Sequence, residues 1–597
     1  MPGCHISRDQ DQKSELLVSV DIYYDGQCPF CARYVQLLRL RDSAGPVALH
    51  DLRDMPEARA RFAERDLDPD TGMVVEMGGQ LYHGDDAMQM LSMLSTPSGA
   101  LNRISAAVFR HKLLARGLYP ILRAGRNATL FLMGREAMRS PDAGEAALFA
   151  LFSRFLGLFA VLHVFMYFFR YAPLTYQLTT LPLLLLGLML IFAPGSRRLF
   201  VAAVLVFAVD GWLQAPLYSN HTILKNFLIF TLIVAGVWHW LRGSRWERFF
   251  SDIRPVGRVL LLVMYTFGIF HKINTDFLDP AVSCAVALWR EMPAPLAWID
   301  VPAMHYLAIY GTFAAEGAIM LMLIVPRWRH FGIAAGIGFH TLLALSGYAM
   351  YPAFSTLSII LHTLFLSPGA ALRIAQSPLY ARLEQRIKSP AGLTFIMIVL
   401  VSIALTAALR DYNLVALLWL LLVAWPLSAI VLHGRPQHAD EERGSFFWSP
   451  LPGLNLIWVL FFLSCAAPYL GLKTAQAMNM FANIRLEGGV SNHLVFPAPP
   501  GPFGYLEDLV VIEAAQDEPL LERIAEREDR ALVYYHLLSV LDETPAAVVT
   551  FERDGQRMGP VSGADLVKAD GDMLHPGWMR KFFHFRTVRL ERPTPCD

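Results

Sequence analysis

Eleven apolar segments follow one another between residues 151 and 471, and they constrain the fold more than any other feature of the sequence. Most are long enough to cross about 30 Å of hydrocarbon as α-helices. We predict spans at residues 151–170, 178–193, 199–215, 222–241, 257–274, 303–325, 331–349, 353–367, 393–410, 412–432 and 454–471, of which the eighth is short. Because 54% of the residues are hydrophobic and 17% are charged, we predict a multi-domain membrane protein with a polytopic α-helical domain over residues 150–472.

Positive charges between the spans indicate the topology. They concentrate in alternate connections, such as the one with Arg197 and Arg198 and the one with Arg327 and Arg329, and these connections should face the cytoplasm. An odd number of spans then places the N-terminus in the cytoplasm and the C-terminus outside, in a multi-pass protein of the cell inner (cytoplasmic) membrane. The first fifteen residues are polar and precede no signal-like apolar core, in agreement with this topology.

A Cys-x-x-Cys pair marks the N-terminal region. It lies in Asp25-Gly26-Gln27-Cys28-Pro29-Phe30-Cys31, after a predicted strand at residues 18–24 and before a predicted helix at residues 32–38. This context is typical of a redox motif, because the helix start favours a thiolate at Cys28 and Cys31, one turn later, can close a disulfide. Half of a zinc site is the alternative, although no second Cys-x-x-Cys occurs in the sequence.

The other four cysteines form no pattern. Cys4, Cys284, Cys465 and Cys596 occur singly, in regions predicted as tail, loop, span and C-terminus. We therefore expect neither a disulfide framework nor a metal site from them.

The N-terminal segment resembles the DCC family of thiol-disulfide oxidoreductases, named for the residues that are Asp25, Cys28 and Cys31 here. Residues 73–76 and 80–88 match the closing hairpin and helix of that family, so the resemblance covers residues 18–97. It implies a thioredoxin-like α/β domain with a redox-active dithiol, in which Cys28 is the attacking thiol and Cys31 the resolving thiol. We therefore also expect a cytoplasmic thiol redox partner.

Two further regions lack long apolar segments. Residues 101–140 contain many basic residues, including Arg126, but a single acidic residue, Glu136. The basic residues alternate with apolar ones, which is the pattern of a basic amphipathic linker on an anionic membrane surface. A solvated helix pair that ends the redox domain is the alternative. Residues 473–597 carry strand-like runs around a charged helical stretch, so we predict a small C-terminal extracytoplasmic α+β domain.

Ionisable residues inside the predicted spans are costly to bury and are functional hypotheses by default. The predicted topology brings seven of them toward the outer half of the membrane: Asp210, His221, Lys225, His271, Lys272, Glu316 and His340. Each has a simpler explanation, since a lysine can extend to the interface, an aspartate can pair with a lysine, and a buried histidine can be an ordinary hydrogen-bonding group. Their convergence at one depth favours a shared site.

Three segments around this cluster resemble the vitamin K-dependent γ-carboxylases and their bacterial HTTM-domain relatives. They are Asn220-His221, residues 265–274, and Phe339-His340 followed by residues 350–352. The resemblance implies that Lys272 is a neutral amine that deprotonates a bound menaquinone-type or vitamin K-type hydroquinone, and that His221 and Asn220 hold the quinone oxygens. We expect the cofactor site to include Asn220, His271, His340, Asp210 and Glu316. The carboxylases carry a second lysine at the position of His271 and lack the N-terminal redox domain.

The segment that follows the last span is rich in Asn, Arg, His and Gly. Its residues Arg485, Glu487 and His493 could roof the outer pocket and point at a substrate. An ordinary polar linker is the alternative, because Gly488-Gly489 is also a turn signal.

Three functions fit these features. The first is a membrane-bound thiol-disulfide oxidoreductase coupled to a carboxylase-like quinone or quinol site. The second is a γ-carboxylase-like enzyme that acts on an extracytoplasmic substrate and has a regulatory dithiol domain, and the third is a non-enzymatic lipid-binding scaffold. Nucleic acid is not expected as a partner, because the formal net charge is zero and basic residues are not interleaved with aromatic ones.

Overall fold

The computed structural model describes residues 19–37, 46–65, 67, 72–95, 103, 118–119, 121–123, 125–126, 128–130, 133, 135, 142–171, 177–215, 219–242, 246–347, 351–436, 445–498, 501–526, 530–589, 593 and 596. The chain divides into two compact units, one of residues 1–142 with 235–249 and one of residues 143–234 with 250–597. Cys4 and most of the predicted linker at residues 101–140 lie outside the described residues.

The first unit is built around a four-stranded sheet. Its elements are β1 (Val20–Tyr24), α1 (Pro29–Leu37), β2 (Val47–Asp51), α2 (Pro56–Glu64), β3 (Val74–Met77), β4 (Gln80–His83) and α3 (Asp85–Leu94). The strand order is β2-β1-β3-β4, in which β2 runs parallel and β3 antiparallel to β1. The predicted α/β character of this region is confirmed.

The buried face of β1 fixes the position of the cysteine turn. Val20 and Ile22 are fully buried and pack against Val35 of α1 and Leu91 of α3. Burying a side chain of this size stabilises a fold by roughly 1.5–3 kcal/mol. Helix α1 begins at Pro29, where a missing N–H costs nothing because first-turn N–H groups have no partner in the helix. The turn between β1 and α1 is therefore held at both ends.

Between residues 143 and 466 the chain is mainly helical. The helices are α4 (Ala143–Tyr171), α5 (Gln177–Phe192), α6 (Arg197–Gln214), α7 (Asn220–Arg242), α8 (Trp246–Phe270), α9 (Thr275–Leu278), α10 (Cys284–Arg290), α11 (Pro302–Ile324), α12 (Arg329–Ala344), α13 (Tyr351–Thr363), α14 (Pro368–Gln376), α15 (Pro378–Lys388), α16 (Pro390–Ala408), α17 (Tyr412–His433) and α18 (Pro452–Ala466). Short 3₁₀ turns occur at Leu296–Trp298, Pro326–Trp328 and Ala467–Leu470.

Seven helical segments among the described residues are long and apolar enough to span a membrane, which supports a membrane protein. They are Ala143–Met166, Asn220–Arg242, Arg248–Phe270, Pro302–Ile324, Pro390–Ala408, Tyr412–His433 and Pro452–Leu470. Helices α13 and α14, bent by 115°, would make an eighth if they form one broken span. The eleven predicted spans also included α5 and α12, whose 16 residues reach only about 24 Å. The remaining one, α6, contains two arginines and an aspartate.

The C-terminal residues form a second sheet. Its elements are β5 (Leu509–Gln516), α19 (Pro519–Ala525), β6 (Arg530–Val533), α20 (Tyr534–Glu543), β7 (Val548–Arg553), β8 (Gln556–Ser562), α21 (Gly563–Asp570), α22 (Gly577–Arg580) and β9 (Val588–Arg589), with a 3₁₀ turn at Gly571–Met573. The strand order is β8-β7-β5-β6-β9. These residues belong to the same compact unit as most of the helices, and a β-bridge joins Asn274 to His493.

A disulfide joins Cys284, the first residue of α10, to Cys596 across 312 residues of sequence. Both cysteines pack in one apolar cluster with Phe277, Tyr351 and Phe481. The expectation that the single cysteines form no disulfide is therefore wrong for this pair. Two isolated cysteines so far apart carry no pattern from which the contact could be inferred.

Candidate functional site

The Cys-x-x-Cys turn has a compact backbone geometry. The Cys28 N–H donates to the Asp25 carbonyl at 3.0 Å, and the Cys31 N–H donates to Cys28 Sγ at 3.2 Å. Gly26 N–H donates to Asp51 Oδ1 at 3.0 Å, and a Cβ on Gly26 would lie 1.8 Å from the other Asp51 oxygen. A larger residue at position 26 would therefore displace the Asp51 carboxylate that accepts from this turn. Both thiols are free, and Cys28 is buried whereas Cys31 is partly exposed.

Asp25 holds two arginines over this turn. Arg53 Nε donates to Asp25 Oδ1 at 2.7 Å, and Arg126 Nη2 donates to Oδ2 at 3.2 Å. Burial alone would raise the pKa of Asp25, but the hydrogen bond and charge of Arg53 and the charge of Arg126 lower it below its usual value. Asp25 is therefore a carboxylate that positions two cations. Arg126, predicted to lie in a membrane-surface linker, belongs to the dithiol site.

The two thiols have opposite acid-base properties. The hydrogen bond that the Cys31 thiol donates to Cys28 lowers the pKa of Cys28 to about 6, with further contributions from the Cys31 N–H and from Arg126, although burial opposes the shift. The same hydrogen bond, together with burial, raises the pKa of Cys31 far above its ordinary value. Because a thiolate is the reactive form of a cysteine, these opposite pKa shifts favour attack by Cys28 over attack by Cys31.

We expect the ultraviolet absorbance of the reduced dithiol to rise with pH around a midpoint near 6, as the Cys28 thiolate forms. The Arg126→Gln variant should move this midpoint upward, because a cation that stabilises the thiolate is lost. Arg123→Gln is the matched control, since Arg123 is not among the groups that shift the pKa of Cys28. A midpoint that stays unchanged in Arg126→Gln would contradict the assignment.

Because the pKa of Cys28 is lowered on folding, the thiolate stabilises the reduced domain at high pH, and this contribution disappears as the pH falls through about 6.

A second candidate site is a cavity among the helices of the second unit. It encloses about 760 Å³, including space that is open to its surroundings. Its polar lining consists of Asn220, His221, Tyr265, Lys272, Thr312, Glu316, His340 and Tyr351. The remaining wall is apolar and includes Met264, Phe277 and Phe354. This composition, an apolar wall with a few polar groups, is typical of sites for small apolar molecules.

An ion pair lies at this cavity. Lys272 Nζ donates to Glu316 Oε1 at 2.7 Å, and both side chains are about nine-tenths buried. Close by, Asn220 Oδ1 accepts the Asn479 N–H at 3.2 Å, and His221 Nδ1 lies 2.9 Å from the Ser219 hydroxyl. An ammonium in an ion pair cannot accept a proton, so Lys272 could act as a base only after losing its own proton.

Two residues predicted for this site lie elsewhere. His271 is buried beside the segment that follows the last span, where Nδ1 lies 2.8 Å from the Tyr469 hydroxyl and Nε2 lies 2.9 Å from the Ala477 carbonyl. Asp210 accepts from Lys225 Nζ at 2.9 Å and also contacts His163 at 3.0 Å. Asp210 and Lys225 therefore form a separate buried charge cluster.

The polar residues of the predicted roof also point away from the cavity. Glu487 pairs with Arg586 at 3.0 Å, Arg485 Nη1 donates to the Arg589 carbonyl, and His493 Nε2 bonds the Phe270 carbonyl. The same segment contributes Met478, Met480 and Phe481 to the cavity lining instead.

The sequence interpretation did not assign a role to Tyr265 or His362. The Tyr265 hydroxyl lies 2.9 Å from His340 Nε2 and 3.2 Å from His362 Nε2, and all three side chains are buried. In the sequence, the signal that could have identified Tyr265 and His362 is a polar group inside an otherwise apolar segment.

Comparisons with known proteins bear on the dithiol site. Residues 22–132 match the model of the DCC1-like thiol-disulfide oxidoreductase family, and this match includes Tyr119 and Arg126 as well as the cysteine turn. It does not extend into the helices of the second unit. No curated protein and no solved structure matches the chain. The chain therefore carries a DCC1-like thiol-disulfide oxidoreductase domain at residues 22–132.

Proposed function

We propose that the chain is a membrane-bound thiol-disulfide oxidoreductase that exchanges electrons between the Cys28/Cys31 dithiol and a cytoplasmic thiol redox partner. The observation that carries this proposal is the pair of thiols with opposite pKa shifts inside the DCC1-like domain. The sheet order of the first unit is that of a thioredoxin-like fold, which also supports it.

The reaction consists of two exchanges. The Cys28 thiolate attacks a disulfide of the partner, so that a Cys28–partner bond forms and one partner thiolate leaves. Cys31 then loses its proton and attacks Cys28, which closes the internal disulfide and releases the second partner thiolate. The dithiol gives up two electrons and the partner gains two. Because Cys28 is buried, the partner must first displace the groups that cover it.

A trapping experiment tests this function. The full chain carrying Cys31→Ser, in detergent, should accumulate a mixed disulfide with oxidised glutathione, because no second thiol is present to resolve it. Mass spectrometry of the peptide that contains Cys28 detects the adduct. Absence of an adduct on Cys28, with adduct formation elsewhere, would count against the proposal.

We also propose that the cavity of the second unit binds a quinone or quinol with Lys272 as base and Asn220 and His221 at the quinone oxygens. The cavity supports this through its apolar wall and its few buried polar groups. A quinone takes up two electrons on reduction, the number that a dithiol releases. Saturable binding of menadione to the purified full chain, weakened in Lys272→Ala and His221→Ala, is the expected result, and absence of binding would refute it.

The third element of the proposal is an inner-membrane protein with eleven spans, a cytoplasmic N-terminus and an extracytoplasmic C-terminus. The Cys284–Cys596 disulfide supports this orientation, because disulfides persist in oxidising compartments whereas Cys28 and Cys31 are free thiols.

Thiol labelling of intact cells checks the orientation. A membrane-impermeant maleimide should label the partly exposed Cys596 only after treatment with an impermeant reductant, because it is disulfide-bonded to Cys284 on the proposed outer side. Cys28 and Cys31 should react only after the cells are permeabilised. Labelling of Cys28 in intact cells would reverse the proposed topology.

A further inference from the structure

Two buried atoms in the residues that line the cavity have no hydrogen-bond partner in the described part of the chain. They are Nδ1 of His340 and Oε2 of Glu316, and the two residues are 1% and 7% exposed. Leaving a buried polar atom unpaired costs roughly 1–3 kcal/mol, so native proteins rarely do so without a reason. Both residues line the same cavity, so a ligand bound there can supply the missing partners.

The contacts behind His340 determine which ligand atoms fit. His362 Nδ1 lies 2.7 Å from the Ser358 carbonyl, which can only accept, so His362 carries its proton on Nδ1. In the neutral ring, His362 Nε2 then accepts from the Tyr265 hydroxyl at 3.2 Å. The Tyr265 oxygen in turn accepts from His340 Nε2 at 2.9 Å. His340 therefore carries its proton on Nε2, and its free Nδ1 is an acceptor.

Close packing holds this chain of hydrogen bonds in place. His362 lies directly against helix α12, where a Cβ on Gly336 would be 2.0 Å from His362 Nε2. Gly336 and His340 are one turn apart on that helix. At Gly338, two residues further along, an added Cβ would meet nothing within 4 Å.

We propose that His340 Nδ1 accepts a hydrogen bond from a hydroxyl of the bound ligand, and that Tyr265 and His362 are positioning residues that fix His340 in this tautomer. Glu316 Oε2, in a carboxylate paired with Lys272, is a second acceptor. A quinol can donate hydrogen bonds to such acceptors, whereas the carbonyls of a quinone cannot. The cavity therefore selects the hydroxyl-bearing form of its ligand. This inference rests on the proposed quinone or quinol function.

Binding of menadiol and of its dimethyl ether to the purified full chain tests the inference. Both probes have the same ring system, but the ether has no hydroxyl to donate, and anaerobic conditions keep menadiol reduced. The wild-type chain should bind menadiol about tenfold more tightly, as expected for the loss of hydrogen bonds to buried acceptors. Tyr265→Phe and Gly336→Ala should reduce this preference to about threefold or less, because the His340 tautomer is no longer fixed. Gly338→Ala should leave it unchanged.

The ratio of the two affinities is the deciding quantity, because a merely structural defect would weaken the binding of both probes equally. A full preference retained in Tyr265→Phe would overturn the inference, and Tyr265→Phe alone decides if Gly336→Ala does not fold. Equal binding of both probes by the wild-type chain would overturn it as well, while the proposed quinone function would stand. If neither probe binds, the proposed function fails and the inference fails with it.

Discussion

We expect the Cys28→Ser variant to lose thiol-disulfide exchange down to the uncatalysed background. In the proposed exchange the Cys28 thiolate is the nucleophile, and a serine hydroxyl at the same position neither ionises near neutral pH nor forms a disulfide. The effect is measured by incubating the pre-reduced full chain with oxidised glutathione and recording the free thiol that is released. Of all the substitutions in the dithiol site, this one should have the largest effect, because Asp25 and Arg126 act only through the pKa and position of the thiol.

Cys465→Ser is the matched control for this experiment. Cys465 is a free, buried cysteine in helix α18, and buried structural thiols are inert. The control should retain wild-type exchange. Full activity in Cys28→Ser, or equal loss in both variants, would show that the dithiol of the first unit is not the reactive centre.

Much of the dithiol site could be predicted from the sequence, because its chemistry is local. The strand before the motif, the helix after it and the separation of the two thiols follow from a short segment around Cys28 and Cys31. Arg53 and Arg126 could not be assigned in this way. They reach Asp25 from 28 and 101 residues away, and only the tertiary fold determines which arginine pairs with it.

Only part of the cavity could be predicted from the sequence. Span boundaries indicate the depth of an ionisable residue, and Lys272, Glu316 and His340, which are expected at one depth, line the same cavity. They do not indicate which side of a helix faces which neighbour. Asp210 therefore pairs with Lys225 in a separate cluster, and His271, although adjacent to Lys272, turns toward Tyr469.

The Lys272→Met variant should lower the free energy of unfolding by about 3–5 kcal/mol, because it leaves the buried Glu316 carboxylate without its cation. The apparent melting temperature of the full chain in detergent reports the change. Arg557→Met is the matched control. Arg557 pairs with Glu513 at the same distance of 2.7 Å, but its side chain is 73% exposed, so its loss should cost no more than about 1 kcal/mol.

The double variant Lys272→Met with Glu316→Leu separates stability from function. Two apolar side chains of similar volume remove both charges together, so stability should return to the wild-type level or above it. Binding of menadiol should remain lost, because both the amine and the carboxylate acceptor are absent from the cavity. If binding returned with stability, the ion pair would be a purely structural feature. If binding stays lost in the stable double variant, Lys272 and Glu316 act on the ligand itself.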